Sequence, residues 1–351
     1  MTTGKRDINM TGQQSKVTYL DYNATTPLRD DVIMRMQEML PVTGNASSVH
    51  AAGRRARTTL EDAREHVAAM AGTGPEQVIF TSGATEANNT VLKSFEGPSV
   101  AISAIEHDCV RESAPAGHHV VPVDGQGIID LDALADVLAR LPAPALLSVM
   151  LVNNETGVIQ PLSDIVRLAR HYGAYIHTDA AQAAGRLPLD FSRWDIDYMS
   201  LSAHKFGGPQ GIGALIARAE SPLKRLQEGG GQERSKRAGT ENIAAIAGFG
   251  RAAELAGQGI DDMPRLAALR DRLEREIAAA SNIARIYGAN APRVGNTSVI
   301  GLPGLPAGTQ LMRLDLEGIC VSSGSACSSG AVKPSHVLNA MGAANNEADA
   351  A

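Results

Sequence analysis

Gln77-Val78-Ile79-Phe80-Thr81-Ser82-Gly83-Ala84-Thr85-Glu86 reads as a strand that ends on a turn and passes straight into a helix. β-Branched and aromatic residues suit the first half, and Ser and Thr are helix-start residues. Upstream, residues 54–71 carry Ala, Leu, Val and Met at helical spacing among Arg and Glu, which predicts a helix. The pattern then repeats. Strand-like runs fall at 100–103, 119–122, 146–152, 174–178, 198–201 and 213–217, with helical stretches at 132–140 and 162–172. Strands alternating with helices predict an α/β fold with a mainly parallel sheet covered on both faces. Ligands bind such sheets beyond the carboxyl ends of the strands. Residues 240–280 are helix-rich, and 283–321 read as a small α/β unit with strands near 298–300 and 319–321. A boundary near 261–269 divides a large domain, 17–260, from a smaller one, 261–351, to which the N-terminal segment is free to contribute.

Composition narrows the function. At 351 residues, 44% hydrophobic and 20% charged, the chain has material for a large core and two ordinary domains. Aromatics are only 3%, which argues against a stacking platform for single-stranded nucleic acid. A net charge of −6 leaves no basic field for binding a phosphate backbone. Three cysteines, Cys109, Cys320 and Cys327, with no C-x-x-C pair make no disulfide framework and indicate a reducing, cytoplasmic compartment. Residues 1–16 lack the apolar stretch of a signal peptide, and the apolar run at 145–152 is strand-sized, far short of a membrane span.

The residues that carry chemistry follow the strand-like runs. Ser202-Ala203-His204-Lys205-Phe206-Gly207-Gly208-Pro209 comes directly after one of them, and Asp179-Ala180-Ala181-Gln182 after another. Asp179 and Gln182 are three apart and share a face if a helical turn starts there. At Ser82–Glu86 the free N–H groups and hydroxyls of a helix start form an anion site. An amine, a carboxylate and a phosphate cradle are together what pyridoxal phosphate requires. Lys205, Asp179 and the Ala84-Thr85 turn fill these roles, with Ser202 and His204 nearby. The carboxylate matters because a protonated ring nitrogen turns the ring into an electron sink. A Rossmann fingerprint after a strand and a G-x-x-x-x-G-K-[ST] loop are both missing.

Further segments extend the pattern: Tyr19-Leu20-Asp21-Tyr22-Asn23-Ala24-Thr25-Thr26-Pro27, Gly44-Asn45-Ala46-Ser47-Ser48-Val49-His50, the run from Ser82 to Asn89, Glu106-His107, and Asn153-Asn154-Glu155-Thr156-Gly157. Arg237-Ala238-Gly239-Thr240-Glu241-Asn242 and Ser323-Gly324-Ser325-Ala326-Cys327-Ser328-Ser329-Gly330 complete it. In this order, over roughly residues 17 to 341, the chain resembles the NifS/IscS-like cysteine desulfurases, within the class V aminotransferase group of fold type I pyridoxal-phosphate enzymes. The resemblance implies that Lys205 holds the cofactor as a Schiff base, Asp179 pairs with the pyridine nitrogen and Gln182 bonds the phenolic oxygen. It implies that His107 stacks on the ring and exchanges protons with the substrate, and that Asn154 helps hold the substrate. Ala84, Thr85, Ser202 and His204 bind the phosphate, joined by Thr240 from a partner subunit, which implies a homodimer.

Cys327 lies in a Ser/Gly-rich stretch of linker-like composition. The resemblance makes it the nucleophile, since a thiolate and not a thiol attacks sulfur. Cysteine is thereby converted to alanine, and sulfur stays on Cys327 as a persulfide for an iron–sulfur scaffold or another sulfur-acceptor protein. No metal site is expected, except that Cys327 is available to a cluster shared with a scaffold. Cys109 and Cys320 read as small buried hydrophobes. His50, His118, His119, His171 and His177 read as surface or packing residues, and residues 233–237 as a solvated loop leading to Thr240.

One departure stands out. Members of the group are expected to continue for a few dozen residues past this chain's last residue and to carry there an arginine that clamps the substrate carboxylate. No matching arginine follows Met341, which reads as a truncated C-terminus without the last strand and helix of the small domain. The loss of such a contact is worth roughly a hundredfold in kcat/KM. The alternatives to a desulfurase are a selenocysteine lyase, a class V aminotransferase, or a weakened or silent cofactor-binding homologue that acts through a partner. An ordinary aminotransferase has no use for a thiol at Cys327.

Overall fold

A computed structural model describes residues 17–324 and 334–351. The described chain starts with a short strand, β1 (Thr18–Tyr19). The strands β2 (Val78–Thr81), β3 (Val100–Ser103), β4 (His119–Val121), β5 (Leu146–Ser148), β6 (Tyr175–Asp179), β7 (Tyr198–Ser202) and β8 (Gly213–Ala217) then form one seven-stranded sheet in the order β2-β8-β7-β6-β5-β3-β4. Strands β3 to β7 run parallel, and β8 lies antiparallel between β7 and β2. The reversal has a local cause. A parallel return needs a crossover of about a dozen residues or more. The link 203–212 is shorter and simply doubles back at the carboxyl edge, and Lys205 lies in it.

Alternation along the strands fills two cores. Val78, Phe80, Ala214 and Ile216 face one, while Ile79, Leu215 and Ala217 face the other. This is the burial on both faces that a parallel sheet requires. The helices Ala51–Ala71 and Ile243–Glu254 cover the first face, and Ala84–Leu92 contributes to the second. Gly250 allows close helix contact, because a Cβ there would lie 2.6 Å from the Cβ of Ala63.

The 146–152 run is shorter as a strand than the sequence suggests. Beyond Ser148 the backbone still donates from Val149 and Leu151 to carbonyls of β6, then turns at Asn153. The second unit holds the antiparallel pair β9 (Arg285–Tyr287) and β10 (Val299–Gly301). Its β11 (Ile319–Cys320) pairs in parallel with β1, so the N-terminal segment joins the C-terminal unit. Residues 261–269 lie inside one helix, Ala256–Ala280, which contains Pro264. Among the described residues, no helix is long and apolar enough to cross a membrane.

His177 is a packing residue, as its sequence context suggests. It is fully buried in β6, with Nδ1 2.8 Å from Ser148 Oγ and Nε2 3.0 Å from Ser200 Oγ. Burial lowers its pKa to about 4. A folded-state value below the unfolded one stabilises the protein above the unfolded pKa, near 6.5, and that stability is lost as pH falls toward 4. In urea unfolding, acidification from pH 7 to pH 4 should remove about 3 kcal/mol through this residue. His177→Asn should lose that part of the pH slope; an unchanged slope would refute the assignment.

Candidate active site

Lys205 extends from the β7–β8 link toward the N-terminal segment. Its Nζ donates to the carbonyl of Asn23 at 2.5 Å and of Ala24 at 3.1 Å. The neighbouring carbonyl of His204 accepts from the Thr26 N–H at 2.8 Å and its hydroxyl at 2.7 Å. Burial, helped by the charge of Lys205, lowers His204 to about 4, so its imidazole is neutral beside the Thr25 hydroxyl. Asn23 is the joint of the cluster. Besides Lys205, its carbonyl accepts from Gln182 Nε2 at 2.9 Å. Its side chain donates to the Asn154 carbonyl and to Thr297 Oγ1, each at 3.0 Å. Sequence reasoning gave Asn23 no role of its own; the only signal was its place in the 19–27 segment.

Asp179 is the last residue of β6, next to β7, and is buried. Oδ1 accepts from the Ala181 N–H at 2.9 Å, and Oδ2 from Asn88 Nδ2 at 2.7 Å. Asn88, fully buried on the Ala84–Leu92 helix, also lies 3.1 Å from Cys109 Sγ. Cys109 Sγ is 3.0 Å from His107 Nδ1, and that nitrogen accepts from the Cys109 N–H at 3.1 Å. A continuous line of contacts therefore joins Asp179 to His107 through Asn88 and Cys109. The expectation of small buried hydrophobes at Cys109 and Cys320 is corrected: both are only partly buried, and the Cys109 thiol sits inside the polar cluster. Burial, with the Asp179 carboxylate adding to it, pushes the thiol up to about 12. It stays protonated at neutral pH.

Gln182 is reached by a turn, with the Ala183 and Ala184 N–H groups both bonded to the Ala180 carbonyl. Its Oε1 accepts from Arg186, a residue whose burial lowers its pKa to about 10. With one N–H of the amide given to Asn23, the second is left for a ligand.

The anion cradle forms where β2 passes into the Ala84–Leu92 helix. No side chain caps this helix start. The cradle turn packs tightly on β8, since a Cβ at Gly213 would lie 2.7 Å from Gly83 Cα. Ser202, the buried last residue of β7, is beside the same turn. Arg237 pairs with Glu86 at 2.9 Å and ties the loop that leads to Thr240 onto this helix. Burial alone would raise the Glu86 carboxyl, but hydrogen bonds from Arg237 and Ser82 outweigh it and hold it low. Thr240 itself is exposed.

The solvated loop expected at 233–237 is also corrected. Glu233 is buried and forms a two-pronged pair with Arg64 at 2.8 and 2.9 Å, while Oε2 also takes the Phe80 N–H at 2.8 Å. Glu233, Arg234 and Ser235 all have left-handed backbones, with φ of 46°, 54° and 63°. Such a run is unfavourable for residues with side chains, so the ion pair holds a strained turn in place.

The set fits pyridoxal phosphate. It offers an amine and a carboxylate at the ends of neighbouring strands, an amide N–H to spare, a neutral imidazole, and an uncapped helix start beside a hydroxyl. Asn154 Oδ1 and Asn88 Oδ1 are buried without a hydrogen-bond partner among the described residues, as expected of a hollow shaped for a polar ligand. Cys327 lies outside the described residues. Among the described residues, no group of three or more His, Cys, Asp or Glu is placed to hold a metal.

Residues 18–345 match the family described as Aminotransferase class-V. A cysteine desulfurase IscS of Dictyoglomus turgidum is 41% identical over 337 residues, which cover 92% of this chain and 85% of that protein. A cysteine desulfurase of Cereibacter sphaeroides is 43% identical over 337 residues, covering 92% and 86%. The crystal structure of a NifS-like protein from Rickettsia africae superposes with a TM-score of 0.89 at 35% identity, covering 95% of this chain and 92% of that one.

The buried ion pair gives a direct test of how the Thr240 loop is held. Glu233→Ala takes the two-pronged partner from the buried Arg64 and leaves it Glu61 and the Val78 carbonyl, and the urea midpoint should fall by an amount worth about 1–3 kcal/mol. A loss below about 1 kcal/mol, the size of an exposed pair, would show that the loop does not depend on it.

Proposed function

The chain belongs to the class-V aminotransferase family, and from that premise we propose that it is a cysteine desulfurase that moves sulfur from L-cysteine to Cys327 and releases L-alanine. Its cofactor is pyridoxal 5′-phosphate, the cofactor of this family. Bound, it supplies an electron sink for negative charge developing at the substrate Cα. The observation that carries the reading is that Lys205 and Asp179 come from the carboxyl ends of β7 and β6, which are paired parallel neighbours.

Each residue has a distinct task. Lys205 holds the cofactor covalently. Asp179, fixed by Asn88 and the Ala181 N–H, keeps the pyridine nitrogen protonated. Gln182 gives its second N–H to the ring oxygen. Ala84, Thr85, Ser202 and His204 hold the phosphate, and Thr240 of a second copy completes that cradle in a homodimer. His107 accepts the Cys109 N–H at Nδ1, so Nε2 is the atom that carries a proton to or from the substrate. Asn154, with its unpartnered Oδ1, meets the bound cysteine.

The Cys327 thiolate attacks the substrate sulfur, and a new S–S bond forms as the substrate C–S bond breaks. The C–S electron pair stays with carbon, which takes a proton to become alanine, and Cys327 keeps the sulfur as a persulfide. Atoms balance as cysteine plus enzyme thiol giving alanine plus enzyme persulfide, with no outside oxidant. An iron–sulfur scaffold or another acceptor protein collects the sulfur, and a reducing cytoplasm suits a working thiol. In this reading residues 17–260 form the cofactor domain and 261–351 the smaller one.

Purified holoenzyme given cysteine and a thiol reductant should form alanine in step with sulfide. Cys327→Ser should stop sulfide release while keeping the visible absorbance of the cofactor, and Lys205→Ala should leave no cofactor that borohydride can fix to the chain. Undiminished sulfide release by Cys327→Ser would sink the proposal.

A further inference from the structure

Glu155 follows Asn154 in the turn after β5, and that turn is rigid. Asn153 Oδ1 accepts from the Glu155 N–H at 3.0 Å and the Thr156 N–H at 2.9 Å, while Asn153 Nδ2 donates to the Ile105 carbonyl at 3.1 Å. The Glu155 carboxylate is buried, and no salt bridge reaches it from the described residues. Oε2 accepts instead from the hydroxyl of Ser335. Ser335 is itself buried and also caps the His336–Ala340 helix, accepting from the Leu338 N–H at 3.1 Å.

The same oxygen meets a second piece of chain. A Cβ on Gly324 would lie 2.2 Å from Glu155 Oε2 and 3.2 Å from Ser335 Cβ, so the backbone at Gly324 is pressed against the carboxylate with no room for a side chain. Gly324 and Ser335 are the two sides of the stretch of sequence that contains Cys327. A further tie lies alongside: His336 Nε2 and the Glu106 carbonyl are 2.9 Å apart, one residue before His107. Both flanks of the Cys327 segment are thus fastened to turns that carry active-site residues.

We propose that Glu155 is a positioning residue for Cys327, its carboxylate holding Ser335 by a hydrogen bond and packing against the Gly324 backbone, so that both flanks of the Cys327 segment are set at one side chain next to Asn154 in sequence. The inference rests on the desulfurase reading for its purpose, though not for its geometry. Burial raises the Glu155 carboxyl to about 7, against the pull of the Ser335 hydrogen bond, and a carboxyl oxygen accepts the Ser335 hydroxyl in either protonation state. Glu155→Gln keeps an acceptor oxygen of the same shape, and Glu155→Ala removes it.

The holoenzyme and its Glu155→Gln, Glu155→Ala and Ser335→Ala variants are treated with iodoacetamide, and alkylation of Cys327 is timed by peptide mass mapping with Cys109 and Cys320 as internal references. Cys327 in Glu155→Ala and Ser335→Ala should react about fivefold to tenfold faster than in wild type, with the reference cysteines unchanged and Glu155→Gln within about twofold of wild type. After cysteine is added, persulfide on Cys327 should build up about tenfold more slowly in Glu155→Ala than in wild type. Wild-type rates of both processes in Glu155→Ala would overturn the inference, and if that variant does not fold, Ser335→Ala decides on the same criteria. Absence of Cys327 persulfide in the wild type would instead defeat the desulfurase reading, while the alkylation rates still decide whether Glu155 positions the segment.

Discussion

Two parallel strands, β6 and β7, end side by side at one edge of the sheet, and the polar machinery of this molecule hangs from those ends. β7 is buried along its whole length and β6 at every residue after Tyr175, so neither can move without opening the core. Asp179 stops β6, and the link after β7 has to turn back at once to lay down β8. The carboxylate and the amine are therefore placed by the sheet rather than by flexible loops. A site built on strand ends holds its geometry better than one carried on loops alone.

What the strands do not fix, Asn23 does. Its carbonyl gathers Lys205 and Gln182, and its side chain reaches Asn154 and Thr297 in the second unit. Buried polar groups that lack partners are costly, and a protein tolerates them mainly where a ligand will pair them. The bare oxygens of Asn154 and Asn88 are of that kind. A ligand that pairs them in the folded state alone stabilises the fold as it binds.

Much of this was legible in the sequence because strand periodicity is local. The runs near 78–81, 175–179, 198–202 and 213–217 show themselves in four or five residues, and the rule that ligands meet strand ends then leads to Asp179 and Lys205. Asn23, Asn88, Cys109 and Glu233 were not legible, since their roles come from contacts with residues remote in the chain. Glu233 reads as one charge in a polar run, and its partner Arg64 lies 169 positions away. Cys109 has an apolar neighbour in Val110, and nothing local announces that Asn88 and Asp179 are folded against it. The left-handed turn at 233–235 is hidden too, because nothing in Glu-Arg-Ser favours that conformation.

The Asp179 carboxylate also governs which thiols near it can ionise. Asp179 is buried at the end of β6. A thiolate close to that buried charge is disfavoured twice, by desolvation and by like-charge repulsion. Cys109 shows the consequence, with its thiol driven up to about 12 by burial and by Asp179. The cysteine that sits in the cluster therefore serves as a neutral hydrogen-bonding group beside His107 and is a poor nucleophile. The same physics favours ionisation of a thiol that lies away from the Asp179 carboxylate and is open to water. The described flanks of the Cys327 segment, Gly324 and Ser335, meet Glu155 in the turn after β5, whereas Cys109 meets Asn88 on the Ala84–Leu92 helix.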